Sequence, residues 1–167
     1  MRIVVTDANI FFDLIGIGAL GLFFQLEHEV HTTVLVLVEC DTEERVALEA
    51  FITNGQLHVR TFTDEELKTV GATGRRKGLR PADRSILLHA KELDGWVLSG
   101  DGDVRKECGE LSLRCHGILW CIAELHRNRH YDASKCLAVL DVLEAINKWL
   151  PKAELEKMRK ELGGSPL

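Results

Sequence analysis

The 167-residue chain is 46% hydrophobic and 28% charged, with a formal net charge of −5. That composition fits a globular domain large enough to bury a core, and it excludes an extended disordered chain. The negative balance argues against a protein that grips nucleic acid by bulk positive charge, but allows a local acidic cluster flanked by basic residues.

The opening RIVVT (2–6) reads as a packed first strand. MRIVVTD has neither the apolar core nor the cleavage site of a signal peptide, and the most apolar run, Leu14 to Leu26, is too short to span a bilayer. Together with five cysteines and no CxxC pair, this predicts a cytoplasmic protein with reduced thiols and no membrane association. Residues 9–26 read as helix interrupted by glycines. Gly16-Ile17-Gly18-Ala19-Leu20-Gly21 matches G-x-G-x-x-G, but a helical segment separates it from the first strand, so it predicts no dinucleotide site. EVHTT (29–33) reads as a second strand. Residues 34–55 read as one long helix, entered after two threonines and closed by Asn54-Gly55. QLHVRTF (56–62) is a third strand. The segment 63–78 opens with a capping box, Thr63 and Glu66, and ends in a basic stretch. A helix is predicted over 82–95, a fourth strand over 96–100, a short helix over 101–111 and an edge strand within 112–117. Helices follow over 118–130, 131–150 and 152–162, with disorder confined to the terminal GGSPL. Strands alternating with helices predict an α/β fold: a three-layer α/β/α arrangement around a mainly parallel sheet of four to five strands, with ligands bound beyond the strands' carboxyl ends.

Four acids stand at element ends facing that edge. Asp7 and Asp101 follow predicted strands; Glu39 and Asp83 belong to predicted helix starts. Each alone reads as an ordinary cap or turn residue. Together they would repel unless a cation neutralised them, and oxygen-only donors suit Mg²⁺ or Mn²⁺. Cys108, Cys115, His116 and Cys121 match no common zinc spacing.

The order Asp7-x-Asn9 after strand one, Glu39, Asp83, then Ser99-Gly100-Asp101-Gly102-Asp103 resembles the PIN domain over about residues 2–125. The resemblance implies a metal-dependent endoribonuclease related to the flap-nuclease fold, with VapC-type toxins, and hence a cognate antitoxin, among its relatives. It carries Asp7, Glu39, Asp83 and Asp101 over as catalytic metal ligands, with Asp103 behind them, reaching the ion through another ligand or a water. Thr6, Asn9 and Ser99 are expected to orient these acids. The nuclease domain is expected over 1–130, with 131–167 a helical extension packed on it that a minimal PIN domain does not need.

RNA would be met by the basic residues beside these acids: Arg75, Arg76, Lys77 and Arg80 before Asp83, and Arg105 and Lys106 after Asp103. A second basic patch, 126–130, has no legible relation to the site. Trp96, Trp120 and Trp149 lie in apolar surroundings and read as core or interface residues rather than base-stacking platforms. The apolar segments 14–24 and 137–150, with Trp149, suggest a homodimer seam. Two other readings stand: a PIN-like RNA- or protein-binding module without catalysis, and a haloacid-dehalogenase-type phosphatase, which needs an acid where the chain has Asn9.

Overall fold

The structure, a computed structural model, describes residues 1–163; the last four residues of the expected disordered GGSPL lie outside them. Five parallel strands form one sheet: β1 (Arg2–Thr6), β2 (His28–Thr33), β3 (Leu57–Arg60), β4 (Trp96–Leu98) and β5 (Cys115–His116). Their order is β3-β2-β1-β4-β5. The chain therefore builds outward from β1 in one direction, then returns and builds outward in the other. β1 and β4 are the pair at which the direction reverses, and a crevice opens at their carboxyl ends. Val4 and Val5 at the centre of the sheet are fully buried, as a strand covered on both faces requires.

Helices flank the sheet. α6 (Pro81–Leu93) packs on β1, β2 and β4 beside α5 (Asp64–Ala72) and α7 (Gly102–Glu110). α1 (Ala8–Gly16) contacts α2 (Leu20–Phe23), α3 (Val34–Glu39), α4 (Thr42–Thr53), α8 (Ile118–Arg127) and α9 (Ala133–Ile146), and α9 in turn packs on α10 (Lys152–Gly163). One continuous core includes Val4 and Ile86 as well as Leu140, Leu143 and Leu155 from the last two helices. Among the described residues no helix is long and apolar enough to cross a membrane.

The expected helix over 34–55 is two helices. Cys40 is extended (ψ 138°), and Asp41 opens α4 with a capping box: Glu44 N–H donates to Asp41 Oδ1 at 2.9 Å, and Asp41 N–H to Glu44 Oε2 at 2.7 Å. Two reciprocal side-chain bonds outweigh one more turn of continuous helix. Glu39 consequently ends α3 instead of opening a helix. The first helical segment breaks at Gly18 (φ 67°). Its Gly16 lets α1 and α9 approach closely, since a Cβ there would come 2.5 Å from Ile146 Cδ1; this is a packing role. The helix expected to reach residue 150 stops at Ile146, with Asn147 extended (φ −115°, ψ 102°). The edge strand is only Cys115–His116.

Candidate active site

The crevice at the carboxyl ends of β1 and β4 is stitched by a short polar network. Asp7 is fully buried. Its Oδ1 accepts the Ala8 N–H at 2.8 Å, capping α1, and its Oδ2 accepts from Ser99 Oγ at 2.7 Å and Asn9 Nδ2 at 2.8 Å. Asn9 Oδ1 accepts the Gly100 N–H at 2.9 Å, and Ser99 Oγ accepts the Asp101 N–H at 3.2 Å. Asn9 and Ser99 thus tie one strand end to the other and hold the Asp7 carboxylate by hydrogen bonds. Thr6 does not share that role: its hydroxyl is buried without a partner, and its carbonyl accepts from Thr32 Oγ1 at 2.8 Å. Side chains alternate along a strand, so Thr6 faces away from the acid that follows it. Asp101 caps α7 with Oδ1, which accepts the Asp103 and Val104 N–H groups at 2.8 and 3.0 Å. Asp103 lies against Gly78, where a Cβ would come 2.4 Å from its Oδ2.

Glu39 and Asp83 enter from α3 and α6. Asp83 is buried and sits in the first turn of α6, not at its cap; Arg80 is the cap residue. The Arg80 guanidinium bridges the two acids, 3.0 Å from Glu39 Oε1 and 3.1 Å from Asp83 Oδ1. Burial pushes the Asp7 carboxyl up to about 6; the Ser99 hydrogen bond opposes this, and the charge of Asp83 adds to it. Glu39 is also raised, by burial first, against the pull of Arg80 and with a push from Asp83. Asp7, Glu39 and Asp83 therefore share one field with Arg80 at its centre. No three of the four acids bring oxygens within 4.8 Å of one another. Arg80, expected to hold substrate, pairs with both acids while its side chain stays 53% exposed.

The family model DUF3368, described as a PIN domain, matches residues 3–164. The chain belongs to the PIN-domain family. The structure is similar to that of a PilT N-terminus domain protein from the hyperthermophilic archaeon Sulfolobus solfataricus P2, at 16% identity and a TM-score of 0.48, covering 72% of this chain and 91% of that one. A search of curated proteins found no match. PIN domains are in general metal-binding nucleases, and the chemistry of these donors fits a hard divalent cation: all are carboxylate oxygens, and buried Asp7 resists ionising without a nearby positive charge.

In this PIN domain the basic loop before α6 is built by two residues that the sequence did not single out. Arg84 donates to the carbonyls of Thr73, Gly74 (2.9 Å) and Arg76 (3.1 Å). Buried Glu107 accepts the backbone N–H groups of Arg75 and Arg76 at 3.0 and 3.4 Å. Arg76 spends its side chain on Glu110 at 2.7 Å, with Glu107 3.8 Å away. Arg75, Lys77 and Lys106 are exposed and pair with no carboxylate among the described residues. The second basic patch lies at the far edge: α8 starts at the carboxyl end of the sheet and runs back, so that its Glu124 meets Arg2, at the start of β1, at 3.1 Å.

Away from the crevice, Glu29, His31 and His58 bring ligating atoms within 4.8 Å of one another. Register accounts for this: Glu29 and His31 share a face of β2, and His31 pairs with His58 of β3. The hydrogen bonds leave little for an ion. Burial holds His89 down at about 4, hence neutral, and its Nδ1 faces the donor Arg60 at 3.2 Å. Its Nε2–H then donates to His31 Nδ1 (3.2 Å), and His31 Nε2–H donates to Glu29 Oε1 (2.8 Å). His31 keeps no free lone pair. Cys108 and Cys115 meet through a side-chain hydrogen bond, but among the described residues no third ligand joins them: Cys121 is fully buried against the Gly117 carbonyl, and all five cysteines are free thiols.

A groove of about 700 Å³ opens beside the acids, sharing Asn9, Gly100 and Asp101 with them. Trp149 lines it and is 90% exposed, so of its two expected settings, core or interface, it does not occupy the core. Its position became readable only once the helix ended at Ile146. Trp120 is half-buried and stacks on His116, with ring centres 5.1 Å apart.

Proposed function

We propose that this PIN domain is a Mg²⁺- or Mn²⁺-dependent endoribonuclease. The observation that carries the reading is the buried Asp7 at the sheet's reversal point, sharing one electrostatic field with Glu39 and Asp83. Asp101 faces it across the bridge of Asn9 and Ser99. Asp7, Glu39, Asp83 and Asp101 would hold the ion, with Asp103 as an outer carboxylate. When bound, the ion supplies Lewis-acid stabilisation of negative charge on the phosphoryl oxygens. Asn9 and Ser99 keep Asp7 in one orientation, so its negative charge is placed before substrate arrives. Exposed Arg75, Lys77, Arg105 and Lys106 would position the RNA backbone, since phosphate contacts fix register without reading sequence.

A second reading, an RNA- or protein-binding module without catalysis, is favoured by Arg80, which already neutralises Glu39 and Asp83. The deciding experiment measures RNA cleavage with added Mg²⁺ or Mn²⁺ for wild type and Asp101→Asn. Metal-dependent cleavage lost in the variant supports the nuclease. RNA binding without cleavage by the wild type supports the second reading. A toxin role with a cognate antitoxin rests on the family's VapC-type members, and a small adjacent reading frame would support it. Free cysteines fit a cytoplasmic setting.

The division at residue 130 and the homodimer also stand as proposals. Leu14, Leu20 and Phe23 are buried within the chain, so the segment 14–24 is spent on the core. Val142 and Ile146 of α9, about half exposed, are left as the candidate seam, and sedimentation at micromolar concentration tests it.

A further inference from the structure

We propose that the groove beside the acids seats an unpaired nucleobase of the RNA strand, stacked on Trp149, with a neighbouring phosphate held by Arg105. This rests on the nuclease reading for its strand. It adds what that reading lacks: a role for the C-terminal helices and a seat for one base beside the acids.

Continuity is the first argument. Asn9, Gly100 and Asp101 line the groove and also belong to the acidic network. A strand whose phosphate sits at the acids therefore runs its next nucleotide into this groove. The volume, about 700 Å³, lies within the usual range for small-molecule sites.

The second argument is how Trp149 is held. An indole left 90% exposed forgoes most of the burial gain a tryptophan offers, yet its backbone is fixed on both sides. The Trp149 N–H donates to Asn147 Oδ1 at 2.9 Å, and Asn147 Nδ2 donates to buried Asp13 at 2.8 Å. The next residue, Leu150, is anchored in the core. The turn between α9 and α10 thus presents a ring with a fixed backbone and an open face. Stacking on such a face is available to every base, provided the base is unpaired.

Charge supplies the third. Arg105 lines the same groove, and its nearest carboxylate among the described residues, Glu154, is 3.9 Å away. Its guanidinium is the loosely held one; those of Arg76 and Arg80 are committed to acids at 2.7–3.1 Å. Gly117 makes room for it, since a Cβ there would come 3.2 Å from a terminal nitrogen of Arg105.

The test uses the full chain in chelator, so that nothing is cut, and follows tryptophan emission. Trp149 is the exposed indole, so oligoadenylate should quench the red edge of the emission and duplex RNA should not. Trp149→Ala should lose that quenching and weaken oligoadenylate binding by about tenfold, with Trp149→Phe recovering most of the affinity. Metal affinity by calorimetry should not move. Equal oligoadenylate affinity in wild type and Trp149→Ala overturns the proposal. So does a dimer that dissociates in Trp149→Ala while RNA affinity holds, because the groove then seats a second copy. If the wild type cuts RNA with metal and Trp149→Ala does so at unchanged KM, the base seat is wrong and the nuclease stands. If oligoadenylate quenches as expected but nothing is cut with either metal, the nuclease reading falls and the base seat stands.

Discussion

Arg80 holds Asp83 with three hydrogen bonds: its backbone N–H at 2.7 Å, Nε at 3.3 Å and a terminal nitrogen at 3.1 Å. The guanidinium reaches Glu39 as well, so the protein carries its own cation among the acids. A divalent ion bound there competes with it. Arg80→Gln should bind Mn²⁺ several-fold more tightly by calorimetry and be less stable without metal, because Glu39 and Asp83 lose their counter-ion. Weaker metal binding in the variant would show that Arg80 assists the ion.

Asp101→Asn separates chemistry from fold. Asn caps helices about as well as Asp, so the bonds to Asp103 and Val104 persist and thermal stability should change by less than about 0.5 kcal/mol. Cleavage should fall on the order of 100-fold or more. Asp7→Asn is less clean: its amide would meet the Asn9 Nδ2 donor, which is locked by the bond from Gly100 N–H to Asn9 Oδ1. That cost offsets the gain from removing a buried charge.

Asp13 carries a pH prediction. Burial pushes it up to about 6, against the Asn147 hydrogen bond. Between its ordinary value of 3.8 and about 6 the folded state keeps a proton that the unfolded chain has lost. The stability it contributes is therefore present below about pH 4 and lost as pH rises through 6. Asp13→Asn keeps an acceptor for Asn147 and does not ionise. The variant should match wild type near pH 4 and exceed it above pH 6. Denaturant melts across that range check this, and comparing variant with wild type cancels the opposite contribution of buried His89.

The basic loop should depend on Arg84. Arg84→Ala frees three carbonyls and unties residues 73–76 from α6. Stability should fall by about 2–4 kcal/mol. Trypsin should then cut at Arg75, Arg76 or Lys77 under conditions that spare wild type.

Neutralising Arg75, Lys77 and Lys106 together should weaken RNA binding and lower its salt slope by about 2, the counterions released by three contacts on a single strand. An unchanged slope places the strand on another face.

Strand and helix alternation and the acids at element ends were legible because each follows from local pattern. Apolar runs of four or five residues between turn signals become buried strands wherever they fall, and an Asp after such a strand lies at the carboxyl edge of a parallel sheet in any doubly wound fold. The break at Cys40 was legible too, in Asp41 and Glu44, but a longer apolar pattern masked it. Tertiary structure decided the rest, because those features depend on contacts between residues far apart in the chain. Glu39 and Arg80 meet across 41 positions, and whether a basic side chain faces RNA or an acid depends on that meeting. Trp149 read as core or interface because its sequence neighbours are apolar; it stands exposed where Asn147 leaves the helix to reach Asp13, 134 residues earlier. Local sequence sets what each segment can become, and the pairing of distant polar groups determines which charges remain free at the site.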